Sequence, residues 1–131
     1  MLLQEVSLFQ FIRKLPETLF VVYTMKLIPF TITGLINIAV GVVLFFFLLL
    51  GLNGYSGKQA EPGLILFIVW ILLASLLVAV LSVVMIGFLT AKKSINFWAS
   101  SLISVLVFVI LGAVINVVGW FTSLFVTEAL R

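Results

Sequence analysis

The chain has 131 residues, 65% of them hydrophobic and 8% charged, with 7 Lys or Arg against 4 acids, all of them Glu. A soluble domain carries roughly 25% charged and 45–50% apolar residues, so this chain has too few polar side chains to cover a surface that faces water. Lipid, or many copies of the chain itself, must cover that surface. His, Cys and Asp are absent. That removes the usual metal ligands, the usual general base, the thiol nucleophile and any disulfide, so neither a cofactor nor an enzymatic reaction is expected.

Residues 1–26 form the first predicted unit, because Glu5, Arg13, Lys14, Glu17 and Lys26 interrupt any long apolar run. On a helical projection Ser7, Gln10, Arg13 and Lys14 fall on one side, and Leu8, Phe9, Phe11, Ile12 and Leu15 on the other. This pattern predicts an interfacial amphipathic helix ending near Pro16, followed by a short apolar piece from Thr18 to Met25. The charges follow the apolar residues instead of preceding them, which is not the pattern of a cleaved signal peptide.

Residues 27–131 form the second unit, a hydrophobic helical domain. Leu27–Gly57, Pro62–Ala91 and Ser94–Thr127 contain no charged residue, and each exceeds the ~20 apolar residues that a membrane-spanning helix needs. Helices are predicted at about 29–52, 63–89 and 97–125. The last is either one helix or two, broken near Gly112, Asn116 or Gly119. Turn-forming residues cluster between Asn53 and Pro62, and Pro62 is placed to open the second helix. In the Thr90–Asn96 connection Ser94 is the candidate N-cap of the third helix. Short connections make neighbouring helices antiparallel. The expected fold is all-α: a bundle of hydrophobic helical hairpins, with an N-terminal amphipathic helix and three long apolar helices of membrane type.

Arg13, Lys14, Lys26, Lys92 and Lys93 share one side of this topology, and Lys58 and Arg131 the other. The excess places the N-terminus in the cytoplasm and the C-terminus outside. Tyr55, Trp98 and Trp120 fall near helix ends, where amphipathic rings prefer to sit, whereas Trp70 lies deeper and is expected to pack.

Each span has a face of small or weakly polar residues: Thr33, Gly34, Asn37 and Gly41 in the first; Ser75, Ala79, Ser82 and Thr90 in the second; Ser101, Ser104, Gly112, Asn116, Gly119 and Ser123 in the third. In lipid, close backbone approach and interhelical hydrogen bonds hold helices together, so helices are expected to meet on these faces. The alternative is a solute pathway lined by Thr33, Asn37, Ser104 and Asn116. Packing is preferred, since polar residues among helices usually join them. An unpaired Asn37 or Asn116 amide in hydrocarbon would cost roughly 2–7 kcal/mol, so each needs a partner on another helix or subunit.

No charge lies mid-span, which argues against an ion-coupled transporter or a voltage sensor. Glu61 and Glu128 are expected to be surface charges beside Lys58 and Arg131. Gly-x-Ser-x-Gly, Walker and dinucleotide-binding patterns are missing. Arg13, Lys14, Lys26, Lys92 and Lys93 are candidate contacts for anionic lipid headgroups or for nucleic-acid phosphates, without base specificity.

The plan as a whole, with an N-terminal segment carrying Arg13-Lys14 and long apolar helices joined by the Asn53–Pro62 and Lys92–Lys93 turns, resembles the small, highly hydrophobic major coat proteins of spindle-shaped, tailed archaeal viruses. The resemblance is one of plan and composition. It implies a structural capsid protein of the virion that resides in the host membrane before assembly. Helix packing then builds a polymeric shell of identical chains around double-stranded DNA, with the cationic side facing the genome. Membrane lipid is the other expected partner, and no small-molecule substrate is expected. The competing expectations are an accessory or assembly subunit of a plasma-membrane complex and, third, a holin-like pore.

Overall fold

The computed structural model describes the backbone from Leu2 to Leu130 and the side chains of Gln10 and residues 21–130. It contains three helices: α1, Leu2–Gly51; α2, Gly57–Lys92; and α3, Phe97–Ala129. There is no strand among the described residues, only an isolated bridge between Asn53 and Tyr55 in the first turn. The fold is therefore all-α, with three long apolar helices. Thr33 and Gly34 meet Ser82 and Ala79 while Gly41 meets Ile71, so α1 and α2 are antiparallel. Ser82 meets Ser104 and Gly63 meets Thr127, so α2 and α3 are antiparallel as well. Asn37 meets Phe108 and Gly51 meets Leu124, which makes α1 and α3 parallel.

The helices are longer than predicted, and each difference has a local cause. α1 does not end near Pro16 but runs unbroken through Pro16 and Pro29. A proline inside a helix forfeits one backbone hydrogen bond, but in a membrane-type helix neighbouring groups take up the freed carbonyl at modest cost. Pro29 is buried against the other helices. The side chains on which the amphipathic pattern of residues 1–20 depends, Gln10 apart, lie outside the described residues.

α2 begins at Gly57 and carries Pro62 inside its second turn instead of opening on it. The start is set by Ser56, whose backbone N–H donates to Gln59 Oε1 at 3.1 Å, one arm of a capping box. At the other end Ser94 is not the N-cap of α3. It adopts a left-handed conformation, φ 51°, which turns the chain out of α2, and the Ile95 N–H returns to the Leu89 carbonyl at 3.3 Å. Asn96 is the cap, with its Oδ1 accepting from the Trp98 N–H at 3.3 Å. α3 is one helix, unbroken at Gly112, Asn116 and Gly119.

The interior changes character along the bundle. Next to the first turn, Leu48, Leu52, Ala60, Phe67 and Ile71 form an apolar cluster, joined by Trp120 and Leu124. Beyond it the interior is small and polar: Thr33, Asn37, Ser75, Ser82, Ser104 and Asn116 are all buried. Four glycines, Gly41, Gly63, Gly112 and Gly119, permit the close approach. A Cβ at Gly41 would lie 2.6 Å from Ile71 Cγ2, and one at Gly112 would overlap the Asn37 side chain. By contrast, a Cβ at Gly87 would meet nothing within 4 Å. Gly112→Ala should therefore destabilise the bundle by about 1–3 kcal/mol through overpacking, while Gly87→Ala should be neutral or stabilising by up to ~1 kcal/mol. Reversible unfolding in mixed detergent micelles measures both, and equal effects would contradict the packing.

Candidate functional site

The polar seam between the helices is the most organised feature of the molecule, and it is built in layers one or two turns apart. In the first layer the Thr33 hydroxyl donates to Ser82 Oγ at 3.2 Å. The Ser104 hydroxyl lies 2.7 Å from the Ser82 carbonyl and 3.1 Å from its hydroxyl. One residue from each helix thus shares a single buried cluster. These hydroxyls can bond to one another because Gly34 and Ala79 let the α1 and α2 backbones approach, with a Cβ at Gly34 falling 3.6 Å from that of Ala79.

The second layer belongs to the two asparagines. Asn37 Nδ2 donates to the Thr33 carbonyl one turn back at 2.9 Å and to the Phe108 carbonyl of α3 at 3.4 Å. Asn116 Nδ2 returns from α3 to the Asn37 carbonyl at 3.2 Å. Asn37 Oδ1 has no conventional donor, but it rests on the backbone of Gly112, where a Cα–H supplies a weak contact. Further along, Trp70 Nε1 donates to the Ile115 carbonyl at 3.0 Å, and Gly119 leaves room for its indole.

Of the residues on the three sequence-defined faces, Thr33, Asn37, Gly41, Ser75, Ala79, Ser82, Ser101, Ser104, Gly112, Asn116, Gly119 and Ser123 are buried, and Gly34 is half-buried. Thr90 is half-buried too, and its hydroxyl turns back to the Ile86 carbonyl of its own helix at 2.8 Å. Thr33, Asn37, Ser104 and Asn116 come together as hydrogen-bonded neighbours, in the seam just described. Sequence reading missed Ser100, Gly63 and Thr127. Thr127 continues the spacing of Gly119 and Ser123 by one more turn, so the periodicity contained that signal. It also missed the pair formed by the Tyr55 hydroxyl and Glu128 Oε2, residues far apart in sequence with no local pattern to connect them. Glu61 and Glu128 are both exposed, as expected of surface charges, and Glu128 is in addition engaged across the bundle end.

The charges separate by end. Among residues 21–130, Lys26, Lys92 and Lys93 lie at the α2–α3 turn end, and Lys58, Glu61 and Glu128 at the other. Lys92 Nζ lies 5.2 Å from the centre of the Phe88 ring, an exposed cation–π contact. Lys93 is exposed as the C-cap of α2. Lys26 is half-buried, on the same face of α1 as Thr33 two turns further on. Arg13 and Lys14 lie outside the described side chains. No three His, Cys, Asp or Glu side chains come together among the described residues. Buried hydroxyls and amides offer hydrogen bonds and weak carbonyl-type ligation, not proton transfer near neutral pH.

Comparison with protein families, curated proteins and solved structures found no match to this chain. Its chemistry therefore rests on its own geometry: three helices long and apolar enough to cross a membrane, held by an internal polar seam. The chain is a small membrane-embedded protein. A double-mutant cycle of Thr33→Val and Ser82→Ala should give a coupling of about 0.6 kcal/mol and at most ~1.7, the range of interhelical hydrogen bonds in membranes. Additive single effects, measured by unfolding in detergent, would mean that the layer does not couple α1 to α2.

Proposed function

We propose that this chain is a non-enzymatic structural protein that inserts into a host membrane and then assembles with copies of itself, by helix packing, into a virion coat around double-stranded DNA. The observation that carries this reading is the inside-out distribution of side chains. Small and polar residues fill much of the interior, alongside a few large apolar ones such as Leu48, Phe67 and Ile86, while most of the large apolar side chains point outward on all three helices, with Leu50 69%, Leu73 64%, Ile110 65% and Phe125 76% exposed. A contiguous apolar surface of this extent marks contact with lipid or with other chains.

Three helices are long and apolar enough to cross a membrane. Their uncharged parts, residues 27–51, 62–91 and 97–127, are about 38–46 Å long at ~1.5 Å per residue, which a tilt of about 40° fits to a hydrocarbon core of ~30 Å. Lipid covers these surfaces in the membrane, and neighbouring copies would cover them in the assembly. The separation of charge supplies an orientation: Lys26, Lys92 and Lys93, with Arg13 and Lys14 on the same side by topology, would be cytoplasmic in the membrane. They would face the genome in the particle, gripping phosphates without regard to sequence.

Because the chain has no Cys, single-cysteine labelling is clean. In intact particles Lys93→Cys should resist a membrane-impermeant maleimide and Lys58→Cys should react; the reverse pattern would reject the orientation. Electron microscopy of the purified protein should show a homopolymer with co-purifying DNA. A monodisperse complex with unrelated chains would reject the coat reading in favour of an accessory subunit.

A further inference from the structure

The first turn contains the dipeptide Asn53-Gly54, whose atoms are left uncovered by the fold. Asn53 lies just past the end of α1 at Gly51. Its side chain is exposed, and its carboxamide takes part in no hydrogen bond among the described residues. Gly54 is exposed too, in a left-handed conformation with φ 107°, and a Cβ built on it would meet nothing within 4 Å. The hydrogen bonds of this turn run from the Asn53 N–H to the Leu50 carbonyl at 3.2 Å and from the Tyr55 N–H to the Leu52 carbonyl at 3.1 Å, so the Gly54 N–H between them is not a donor. Glycine takes this conformation without steric cost, and its missing side chain leaves the nitrogen open to the side chain before it.

The other three asparagines of the chain are held. Asn37 and Asn116 are buried inside α1 and α3, where their Nδ2 atoms donate to carbonyls at 2.9 and 3.2 Å. Within a helix the next N–H is also committed to the carbonyl four residues back. Asn96 caps α3, and its Oδ1 accepts from the Trp98 N–H at 3.3 Å. Each of the three is followed by a bulky residue, Ile38, Phe97 or Val117, which crowds the backbone nitrogen next to the amide. Asn53 alone combines an exposed, unbonded amide with an open nitrogen on the following residue.

We propose that Asn53 is a site of spontaneous modification, at which the side-chain amide is converted to a carboxylate through a cyclic imide formed with Gly54. The Gly54 backbone nitrogen gives up its proton and attacks the Asn53 side-chain carbonyl carbon. A C–N bond forms there, the bond to Nδ2 breaks, and Nδ2 leaves with that proton as ammonia. Water then adds to either imide carbonyl and breaks its C–N bond, leaving aspartate or a β-linked isoaspartate at position 53. Amide and water thus become carboxylic acid and ammonia, with no oxidant or reductant. The product adds negative charge at the end of the bundle that holds Lys58, Glu61 and Glu128. The isoaspartyl form also lengthens the backbone between Leu52, in the apolar cluster, and Tyr55, whose hydroxyl meets Glu128. The site depends on the geometry of the turn and not on the coat reading, so either can fail while the other stands.

The test is a time course of the full chain in detergent micelles, in mildly alkaline buffer that favours loss of the Gly54 proton, read by mass spectrometry of its peptides at single-residue resolution. Asn53 should convert at a rate within about tenfold of that of a free peptide of residues 50–56 incubated alongside, because an exposed loop tip does little to restrain it. Asn37, Asn96 and Asn116 should remain amides. Gly54→Val should slow the conversion by about tenfold or more through its branched side chain. Valine is strained at this φ, so Asn53→Gln provides a second variant that leaves the backbone alone: hydroxylamine, which cleaves the imide, should cut the natural chain between residues 53 and 54 and leave Asn53→Gln intact. Conversion slower than the peptide by more than that margin would mean that the fold protects the pair, and would overturn the proposal. So would equal conversion at all four asparagines, meaning reaction from the unfolded chain, or equal cleavage of Asn53→Gln.

Discussion

Asn37 is the residue through which the bundle is tied together. Its amide N–H groups reach a carbonyl of its own helix and one of α3, its carbonyl receives Asn116, and its side-chain oxygen lies against Gly112. In a bilayer, burying a leucine between helices gains little, because lipid chains solvate it equally well, so polar contacts and close backbone approach must hold the helices. An asparagine can make those contacts only where a glycine makes room for it. Asn37 and Gly112 are therefore a single device, and the Thr33–Ser82–Ser104 cluster one turn away applies the same logic with smaller groups.

The rest of the architecture follows from this constraint. With much of the interior taken by small and polar side chains, most of the large apolar ones point outward, which prepares the surface for lipid and for neighbouring helices. Toward the first turn the interior becomes conventional, where Leu48, Leu52, Phe67 and Trp120 fill the space, and Val78 and Ile86 are the large apolar side chains buried beyond it. The two ends of the molecule also differ in kind. One is purely cationic among the described residues, and the other mixes Lys58 with Glu61 and the Tyr55–Glu128 pair. A subunit with one cationic end and an apolar girdle can line up its copies in a membrane without any catalytic residue. Those two features support the structural role proposed above.

Much of the fold was legible in the residue pattern. Three uncharged stretches, broken by turn formers at Asn53–Pro62 and by Lys92-Lys93, leave little choice but three long helices. The periodicity of Thr33, Asn37 and Gly41, and of Gly112, Asn116, Gly119 and Ser123, marks one face on each of two helices. Helix ends were less legible. Pro16, Pro29 and Pro62 read as boundaries in water, yet all three lie inside helices, since helices of membrane type tolerate a missing N–H. Ser94 and Asn96 are both plausible caps by type. The choice fell to Asn96 because Ser94 is used to turn the chain out of α2.

Composition and a helical period of 3.6 were enough to give the solvent, the helical class, the separation of charge and the faces where small residues gather. Which residue meets which came from the packing of the helices: Asn37 pairs with Asn116 beside Gly112, Ser82 bridges Thr33 and Ser104, and Tyr55 reaches Glu128. Such pairings depend on the axial register of one helix against another. Register is set by the summed fit of many side chains along both helices, and no local pattern in either helix encodes it.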